Sequence, residues 1–463
     1  MNDTYLAIDF GGGSGRVIAG QIRDKRLEMQ EIHRFPNRQI RLGGHVYWDF
    51  LSLFEEMKTG IRKAVGKGLH IRSIGIDTWG VDFGLIDRAG SLLGNPQCYR
   101  DPCTEGMPEA FFQDVSPEEH YRESGIQVMP INTLFQLLAL QRENPGRLEA
   151  ADRLLFMPDL FSYFLTGNAD NEYCIASTSE LLDASQRTWN WALIDRLGLP
   201  RRLFGRIILP GTSRGKVLPE VAAELGLPDD TEVIAVGSHD TAAALFAVPF
   251  PAGRTSRCAF LSSGTWSLLG VELERPILTE EARQAGFTNE GCVGGHIKFL
   301  QNITGLWILQ QLMKQWEAQG ADISYDTLLG AAAESTLASL IDVDDPRFTN
   351  PADMQQTLAE YCRETDQQVP ETKGDYVRCV LRSLAARYKK GIDGLNALLP
   401  EPVEQLHIIG GGSRNRLPNR LTGEAAGGPG GAGTVGAKPH GKILVAGLAA
   451  REDQDKNGIQ LIH

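Results

Sequence analysis

The sequence predicts an α/β protein of two or three domains, and three observations support this class. Strand-like apolar segments alternate with helical stripes along the 463 residues, which is the usual pattern of α/β folds. Three glycine-rich turns follow apolar strands, at Gly11–Gly15, Ser262–Gly264 and Gly410–Gly412. Apolar and charged residues make up 42% and 22% of the chain, so it can bury sizeable cores without disulfides or metals.

Composition excludes several classes of function. The net charge of −12 and the lack of any Lys/Arg block argue against a nucleic-acid partner. The sequence contains no window of 18 apolar residues, so no membrane-spanning helix is predicted. The N-terminal residues MNDTYLAIDF lack the basic start of a signal peptide. Seven scattered cysteines without CxxC spacing predict reduced thiols and a cytoplasmic location. Cys362 and Cys379 can pair if two helices bring them together, but free buried thiols are the prediction.

The first half of the chain opens with two strands, YLAIDF and RVIAGQI, joined by a glycine turn, and Asp9 stands at the end of the first strand. A helical stripe of Leu51, Phe54, Met57, Ile61 and Val65 follows. The remaining elements are predicted from their apolar patterns. They are a strand, turn and strand in HIRSIGIDTWGVDFGLID, mostly helix over 131–165, and a strand, loop and helix over 233–247.

The second half repeats the opening pattern, because CAFLSSGTWSLLGVEL (258–273) again predicts two strands joined by a turn. This similarity indicates an internal duplication of one hairpin unit. Asn302 is predicted to cap a helix that runs to about Gln319, a longer helix covers 376–398, and QLHIIGGGSRN (405–415) predicts a strand entering a glycine turn. The domain boundary is predicted just after residue 247, near Pro249–Pro251.

The glycine turns are candidate phosphate sites, since glycine lets backbone amides approach phosphate oxygens without a Cβ clash. One such turn is more often a plain tight turn, but three of them together with Asp9 favour phosphate binding. Neither common phosphate loop is present. Every Gly-Lys pair lacks the following Ser or Thr of a Walker A loop, and the first glycine turn enters a strand rather than the helix of a Rossmann fingerprint.

Two polar segments have both a chemical and a structural interpretation. Asp240, between a buried strand and a helix, is either a general base for an alcohol or the cap of a helix beginning near Thr241. His239 beside it is interpreted as structural. The segment TWGVDF (78–83) offers either an aromatic and an acid for a sugar, or a core tryptophan with a turn aspartate.

Ten segments together resemble the FGGY-type carbohydrate kinases, in order and over nearly the whole chain. These segments are DFGGGSGR (9–16), EIHRFPN (31–37), SIGIDTWGVDF (73–83), YRDP (99–102), SGIQVMPINTLFQL (124–137), MPDLFSYFLTG (157–167), SHDTAAA (238–244), LSSGTWSL (261–268), NITGLWILQ (302–310) and LHIIGGGSRN (406–415). Within the family, IDTWGVDF and NITGLW resemble the members that phosphorylate L-rhamnulose more than the glycerol or xylulose kinases.

The resemblance implies two ribonuclease-H-like domains of the actin/hexokinase superfamily around a central cleft. Residues 1–247 would form the sugar-binding domain and residues 248–463 the nucleotide-binding domain. The implied reaction is ATP-dependent phosphorylation of L-rhamnulose at O1, with Mg²⁺ as cofactor and a ketose sugar and ATP as partners. The alternatives are a kinase for another ketose, such as L-fuculose or L-xylulose, and a non-catalytic sugar-binding protein with an impaired nucleotide site. Monomer and homodimer both remain open.

The resemblance also implies a role for each matching residue. The first phosphate loop would be Gly12, Gly13, Ser14, Gly15 and Arg16, with Asp9 placed to hold Mg²⁺ directly or through water. The sugar site would consist of Gly80, His239, Asp240, Thr241 and Asn302, with Asp240 taking the proton from the O1 hydroxyl. The nucleotide would meet Thr265 at its phosphates and contact Gln310 and Gly411.

One stretch departs from the family pattern. After Leu421 the family usually continues with an apolar strand and a turn resembling PxEATAxGN, whereas this chain reads GGPGGAGTVGAKPHGKILVAGLAA over 427–450. Glycine leaves almost no side chains to pack, and proline lacks the amide that a strand needs. The chain also ends short of the usual family C-terminus. Either the nucleotide pocket is altered or disordered here, or this stretch is not natural sequence.

Overall fold

The computed structural model describes residues 3–24, 26–248, 250, 255–349, 351–409, 416–426 and 460–461. Its described residues form two lobes, each built on one larger β-sheet. We call residues 3–248 the first lobe and residues 255–426 the second lobe. The predicted Gly411 and the whole 427–450 stretch lie outside the described residues.

The first lobe alternates strands and helices as the sequence predicts. Its strands are β1 Asp3–Phe10, β2 Ser14–Arg23, β3 Arg26–Pro36, β4 Gln39–Leu42, β5 His45–Trp48, β6 His70–Asp77, β7 Phe83–Asp87, β8 Ala151–Phe156, β9 Asn171–Glu172, β10 Leu182–Asp183, β11 Thr188–Trp189, β12 Ile207–Ile208, β13 Ser213–Lys216 and β14 Glu232–Ile234. Its α-helices are α1 Phe50–Gly66, α2 Met107–Phe111, α3 Pro117–Ser124, α4 Thr133–Glu143, α5 Pro145–Ala150, α6 Met157–Thr166, α7 Tyr173–Ala176, α8 Trp191–Arg196, α9 Pro219–Leu225 and α10 Asp240–Phe246.

The second lobe is smaller and ends in longer helices. Its strands are β15 Cys258–Ser263, β16 Trp266–Leu273, β17 Thr288–Gly291, β18 Ile297–Thr304 and β19 Gln405–Ile409, and a last strand, β20 Gln460–Leu461, joins the sheet of the first lobe. Its α-helices are α11 Glu280–Gln284, α12 Trp307–Ala318, α13 Tyr325–Glu334, α14 Met354–Glu364, α15 Lys373–Leu398 and α16 Arg416–Ala426.

The two main sheets repeat one arrangement. In the first lobe, β1, β2 and β3 form an antiparallel meander, and β6 lies parallel to β1 on its other side. In the second lobe, β15, β16 and β18 form the same meander, and β19 lies parallel to β15. The strand orders are β13-β14-β6-β1-β2-β3-β20 and β17-β18-β16-β15-β19. The duplicated hairpin predicted from sequence is therefore the core of each sheet.

The main helices begin where side chains can satisfy their first amide groups. The carboxylate of Asp49 accepts a hydrogen bond from the Ser52 amide and caps α1. Thr372 and Asp375 form a capping box at the start of α15, three residues before the predicted start. No described helix is long and apolar enough to cross a membrane.

Two expectations about elements need correction, those for Leu51 and Asn302, and a third is refined. Leu51 is 65% exposed, because the buried face of α1 runs through Phe50, Leu53, Met57 and Ile61 instead. The 131–165 segment is mostly helical, as predicted, and it also contains strand β8, which pairs with β7. Short apolar runs do not distinguish strand from helix. Asn302 caps no helix. It lies in β18, paired with Leu268 of β16, and α12 begins at Trp307.

Helices α14 and α15 bring Cys362 and Cys379 together. Both are buried and are free thiols, as predicted. Their side chains hydrogen-bond to each other, which lowers the pKa of Cys362 and, together with burial, raises the pKa of Cys379.

The close approach of β16 and β18 depends on Gly270. A Cβ at this position would lie 2.2 Å from the Phe299 carbonyl oxygen and 2.7 Å from the Leu300 Cα, and backbone atoms cannot rotate away. We expect Gly270→Ala to lower the free energy of unfolding by about 1–3 kcal/mol, measured by urea denaturation. The control is Gly330→Ala on the exposed side of α13, where a Cβ meets nothing within 4 Å and should raise stability by about 0.5–1 kcal/mol. Equal effects of the two changes would contradict the packing argument.

Candidate active site

The first candidate cluster lies at the carboxyl ends of β1 and β6. These strands are parallel, and their register places Asp9 directly opposite Asp77, with both residues buried. Arg16, from β2, donates to Asp9 Oδ2 from Nε at 2.8 Å and from Nη2 at 2.7 Å. A carboxylate pair beside an arginine is therefore built at the end of the first hairpin.

The turn between β1 and β2 leaves its backbone exposed. The Gly11 amide donates to the Ser14 carbonyl at 2.9 Å, and Asn37 holds the turn from behind through the carbonyls of Gly11 and Gly13. A Cβ on Gly13 would meet nothing within 4 Å, and one on Gly12 only the Tyr99 hydroxyl at 3.7 Å. Gly12, Gly13 and Ser14 are all exposed, so the turn can present amides to a phosphate.

Gly15 has a different role. A Cβ on Gly15 would lie 2.2 Å from the ring of Phe35, which is itself buried. Gly15 belongs to the predicted phosphate loop, and here glycine also makes room for an aromatic side chain beneath the turn.

The second candidate cluster surrounds Asp240. The Thr78 amide donates to the Ser238 carbonyl, and the Asp240 amide donates to the Thr78 carbonyl, both at 3.0 Å. These two bonds tie the end of β6 to the start of α10. The Asp240 carboxylate accepts from Thr241 Oγ1 at 3.0 Å and remains 22% exposed. Helix α10 starts at Asp240 itself, with His239 as its N-cap residue, so the interpretation of Asp240 as a cap is wrong.

Gly80 faces the same cluster. A Cβ on Gly80 would lie 3.4 Å from His239 Nε2 and 3.5 Å from the Thr178 side chain. Three predicted sugar-site residues of the first lobe, Gly80, His239 and Asp240, are thus brought together, with Thr241 adjoining them.

The second lobe adds to this cluster from strands β17 and β18. Glu290 and Lys298 are paired in the register of these strands, and their side chains contact each other at 2.7 Å. Both reach His239 Nδ1, Lys298 Nζ at 2.9 Å and Glu290 Oε2 at 3.2 Å. The sequence reasoning missed both residues, although a lysine between Ile297 and Phe299 in an apolar strand was a usable signal.

Burial and charge act in opposite directions on Glu290. Burial alone would raise the pKa of its carboxyl, but the Lys298 charge and the contact with His239 outweigh burial and lower the pKa to about 2.

Asn302, two residues after Leu300 on β18, donates from Nδ2 to Gln127 Oε1 of the first lobe at 3.3 Å. Side chains from both lobes therefore meet around the candidate sugar site.

The third candidate cluster lies at the turn between β15 and β16. The Thr265 hydroxyl donates to Gln310 Oε1 at 3.1 Å, and the Thr265 carbonyl accepts from the Gly305 amide at 3.1 Å. The two predicted nucleotide-binding side chains are thus in direct contact. The Arg100 guanidinium of the first lobe lies 5.1 Å from the Tyr99 ring and 5.9 Å from the ring of Trp307, at the start of α12.

Two side chains of the TWGVDF segment, those of Trp79 and Asp82, have a structural role. Asp82 is fully buried and accepts from Trp48 Nε1 at 2.5 Å, Trp79 Nε1 at 2.9 Å, Gln136 Nε2 at 2.9 Å and the Tyr99 amide at 3.2 Å. Burial raises the pKa of Asp82 to about 6, although these four hydrogen bonds lower it. The acceptor sites of the Asp82 carboxylate are taken by protein donors, and Trp79 is only 7% exposed. These two side chains therefore hold the segment that carries Gly80 in place.

The three clusters define a class of protein. Backbone turns suited to phosphate, a partly exposed carboxylate, and side chains converging from two lobes are the parts that phosphoryl transfer to an alcohol requires. The chain belongs to the FGGY family of carbohydrate kinases. Residues 4–247 match the N-terminal domain of this family and residues 259–450 match its C-terminal domain.

Relatives match the sequence of this chain over nearly its full length. The rhamnulokinase of Bacteroides thetaiotaomicron is 45% identical over 99% of this chain and 93% of its own, and that of Oceanobacillus iheyensis is 37% identical over 98% and 95%. Among solved structures, a ligand-bound xylulose kinase from Lactobacillus acidophilus superposes with a TM-score of 0.78 at 16% identity, covering 99% of this chain and 91% of its own. Plasmodium falciparum glycerol kinase with ADP gives 0.78 at 14%, covering 98% and 91%. The predicted two-domain fold of the actin/hexokinase type is confirmed, and the protein is a carbohydrate kinase.

The four donors around Asp82 give a stability prediction. We expect Asp82→Ala to lower the free energy of unfolding by about 3 kcal/mol or more, because it leaves two indoles and the Tyr99 amide without this acceptor and removes one of the two acceptors of Gln136 Nε2. Tryptophan emission should shift to the red as Trp48 and Trp79 become hydrated. Urea denaturation followed by fluorescence measures both effects. The control, Asp230→Ala, breaks an exposed ion pair with Arg72 and should cost less than about 1 kcal/mol. Similar losses in both variants would refute the assigned role of Asp82.

Proposed function

We propose that the protein transfers the terminal phosphate of ATP to O1 of L-rhamnulose, giving L-rhamnulose 1-phosphate and ADP. The observation that carries this proposal is the 45% identity with a rhamnulokinase across both lobes. The cluster of Gly80, His239 and Asp240 supports it, because it places a partly exposed carboxylate beside an imidazole and a glycine that has no side chain.

The proposed chemistry needs one proton transfer. Asp240 takes the proton of the O1 hydroxyl as O1 forms its bond to the γ-phosphorus, while the bond from that phosphorus to the β–γ bridging oxygen breaks and ADP leaves. Thr241 holds Asp240 Oδ1 from the side, which fixes the direction of the carboxylate. Asn302 and His239 would orient the sugar, and Gly80 would line its pocket.

The nucleotide would lie between the first hairpin turn and the second. Gly12, Gly13, Ser14 and the neighbouring Gly15–Arg16 segment would face its phosphates from the first lobe, with Thr265 and Gln310 opposite them. Gly411 is proposed to pack against the nucleotide. We propose that residues 1–247 form the sugar-binding domain and that residues 248–463 form the nucleotide-binding domain. We also propose a cytoplasmic location, where ATP and reduced thiols are both available.

Mg²⁺ is the proposed cofactor, with Asp9 holding it directly or through water. Proteins usually hold this ion by one or two carboxylates together with phosphate oxygens and water. Asp9 and Asp77 provide two carboxylates at adjacent strand ends, and the described residues contain no group of three or more acidic, His or Cys side chains that forms a complete cage. Such residues fit an ion that arrives with the nucleotide. Bound Mg²⁺ would neutralise phosphate charge during transfer.

The substrate proposal is tested by ADP release. We expect ATP turnover that depends on L-rhamnulose, with a higher kcat/KM than for L-fuculose or L-xylulose, in a coupled assay with Mg²⁺. Faster turnover of another ketose would make the protein a kinase for that sugar. Calorimetric titration with sugar and with ATP covers the remaining alternative, since sugar binding without nucleotide binding would identify a non-catalytic protein.

The role of Asp240 gives a second kinetic prediction. We expect Asp240→Asn to lower kcat by about 10²–10⁴-fold with a modest change in KM, because a positioned base acts mainly in the transition state. The control is Asp326→Asn, another aspartate in the first turn of a helix, which lies exposed on α13 and should leave kcat unchanged. Near-normal turnover by Asp240→Asn would refute its assignment as the base.

A further inference from the structure

Three ionisable side chains meet at the junction of the lobes, on the side of His239 away from Gly80. The Lys298 side chain is fully buried, and those of Glu290 and His239 are 8% and 12% exposed. Lys298 Nζ contacts both of the other two, Glu290 Oε2 at 2.7 Å and His239 Nδ1 at 2.9 Å. The charged groups that face the imidazole are thus Glu290, Lys298 and Asp240.

Hydrogen-bond chemistry restricts how this group is protonated. An ammonium group has three donors and no acceptor, so Lys298 must donate to both of its neighbours. An imidazole nitrogen that accepts a hydrogen bond carries no proton, and in the neutral ring the proton then resides on the other nitrogen. The contact of 2.9 Å therefore places the proton on His239 Nε2.

The other two protonation states are disfavoured by the same contacts. The Nδ1–H tautomer could donate to Glu290 at 3.2 Å, but it would point its proton into the space of the ammonium hydrogens. An imidazolium would direct its Nδ1 proton at the Lys298 ammonium 2.9 Å away, where neither group has a lone pair to accept the other's hydrogen.

The opposite edge of the ring faces the candidate sugar site. Nε2 lies 3.4 Å from the position of a Cβ on Gly80 and 3.7 Å from Asp240 Oδ1. The second distance is too long for a hydrogen bond, so the Nε2 proton is directed at the site without being used by Asp240.

We propose that Lys298 and Glu290 are positioning residues of the second lobe that fix His239 as the Nε2–H tautomer, so that the ring donates a hydrogen bond to a sugar oxygen. This inference rests on the proposed sugar kinase function. It assigns His239 to substrate orientation and leaves Asp240 as the proton acceptor of the reaction. It also replaces the first interpretation of His239 as merely structural, because its tautomer determines which sugar atoms it can bind.

The test is ¹⁵N NMR of the ligand-free protein labelled at histidine. The chain has nine histidines, and the spectrum of His239→Gln identifies the signals of His239. At neutral pH we expect one protonated and one unprotonated ring nitrogen, with the proton on Nε2. A proton on Nδ1, or on both nitrogens, would overturn the inference.

Lys298→Met provides the matched perturbation. Without the ammonium, Nδ1 should take the proton and donate to Glu290, so the spectrum should change to the Nδ1–H tautomer. KM for the sugar should rise about 10–100-fold, with a smaller change in kcat, because a donor to the bound sugar is lost. The control is Lys58→Met, which removes a lysine that is 12% exposed and paired with Glu55 and Glu224 on helices α1 and α9, and should alter neither His239 nor KM.

The substrate assignment and the tautomer assignment can be refuted independently of each other. If the wild-type protein shows the Nε2–H tautomer but does not phosphorylate L-rhamnulose, the substrate assignment is wrong and the tautomer assignment stands. If it phosphorylates L-rhamnulose but His239 carries its proton on Nδ1, the positioning role is wrong and the kinase stands. An unchanged His239 spectrum in folded Lys298→Met would also refute the positioning role.

Discussion

The candidate site depends on two backbone hydrogen bonds, those that join Thr78 to Ser238 and Asp240. They tie the end of a central parallel strand to the first residue of a helix that is far away in sequence. The position of Asp240 relative to Gly80 and His239 is therefore set by the main chain rather than by flexible side chains. A carboxylate fixed in this way requires little reorganisation before it accepts a proton, which is the condition for an efficient general base.

Residues of both lobes stabilise this arrangement. Asp82 binds the indoles of Trp48 and Trp79 and so stiffens the segment that carries Gly80. From the opposite side, Glu290 and Lys298 contact His239. Buried charged groups are costly unless each is paired, so these residues restrict how the lobes can pack together. These pairs add directional contacts between the lobes, which apolar contact alone does not supply.

Much of the fold and part of the candidate site could be predicted from the sequence, and the features that could not be predicted have physical causes. The hairpins at residues 5–22 and 258–273 and the capped helix α15 were predictable, because alternation, turns and caps are local signals. Asn302 was misplaced because an asparagine before a helical stripe resembles a cap, whereas pairing with β16 extends the strand through it. Asp82 was ambiguous, since three of its four partners, Tyr99, Trp48 and Gln136, lie 17, 34 and 54 positions away. Glu290 and Lys298 were missed for the same reason: their meaning depends on His239, some 50 to 60 positions earlier.

The contribution of β17 and β18 has a consequence for how the protein is made. The chain leaves the ribosome from its N-terminus, so Gly80, His239 and Asp240 emerge before Glu290, Lys298 and Asn302. The first lobe must therefore exist for a time with one edge of its His239 imidazole lacking the partners that it later acquires. If the proposed sugar site is correct, newly made chains would complete it only after residue 304 has emerged and β18 has joined its sheet. A chain cut off after the first lobe would then carry the proposed base, Asp240, without Glu290, Lys298 and Asn302.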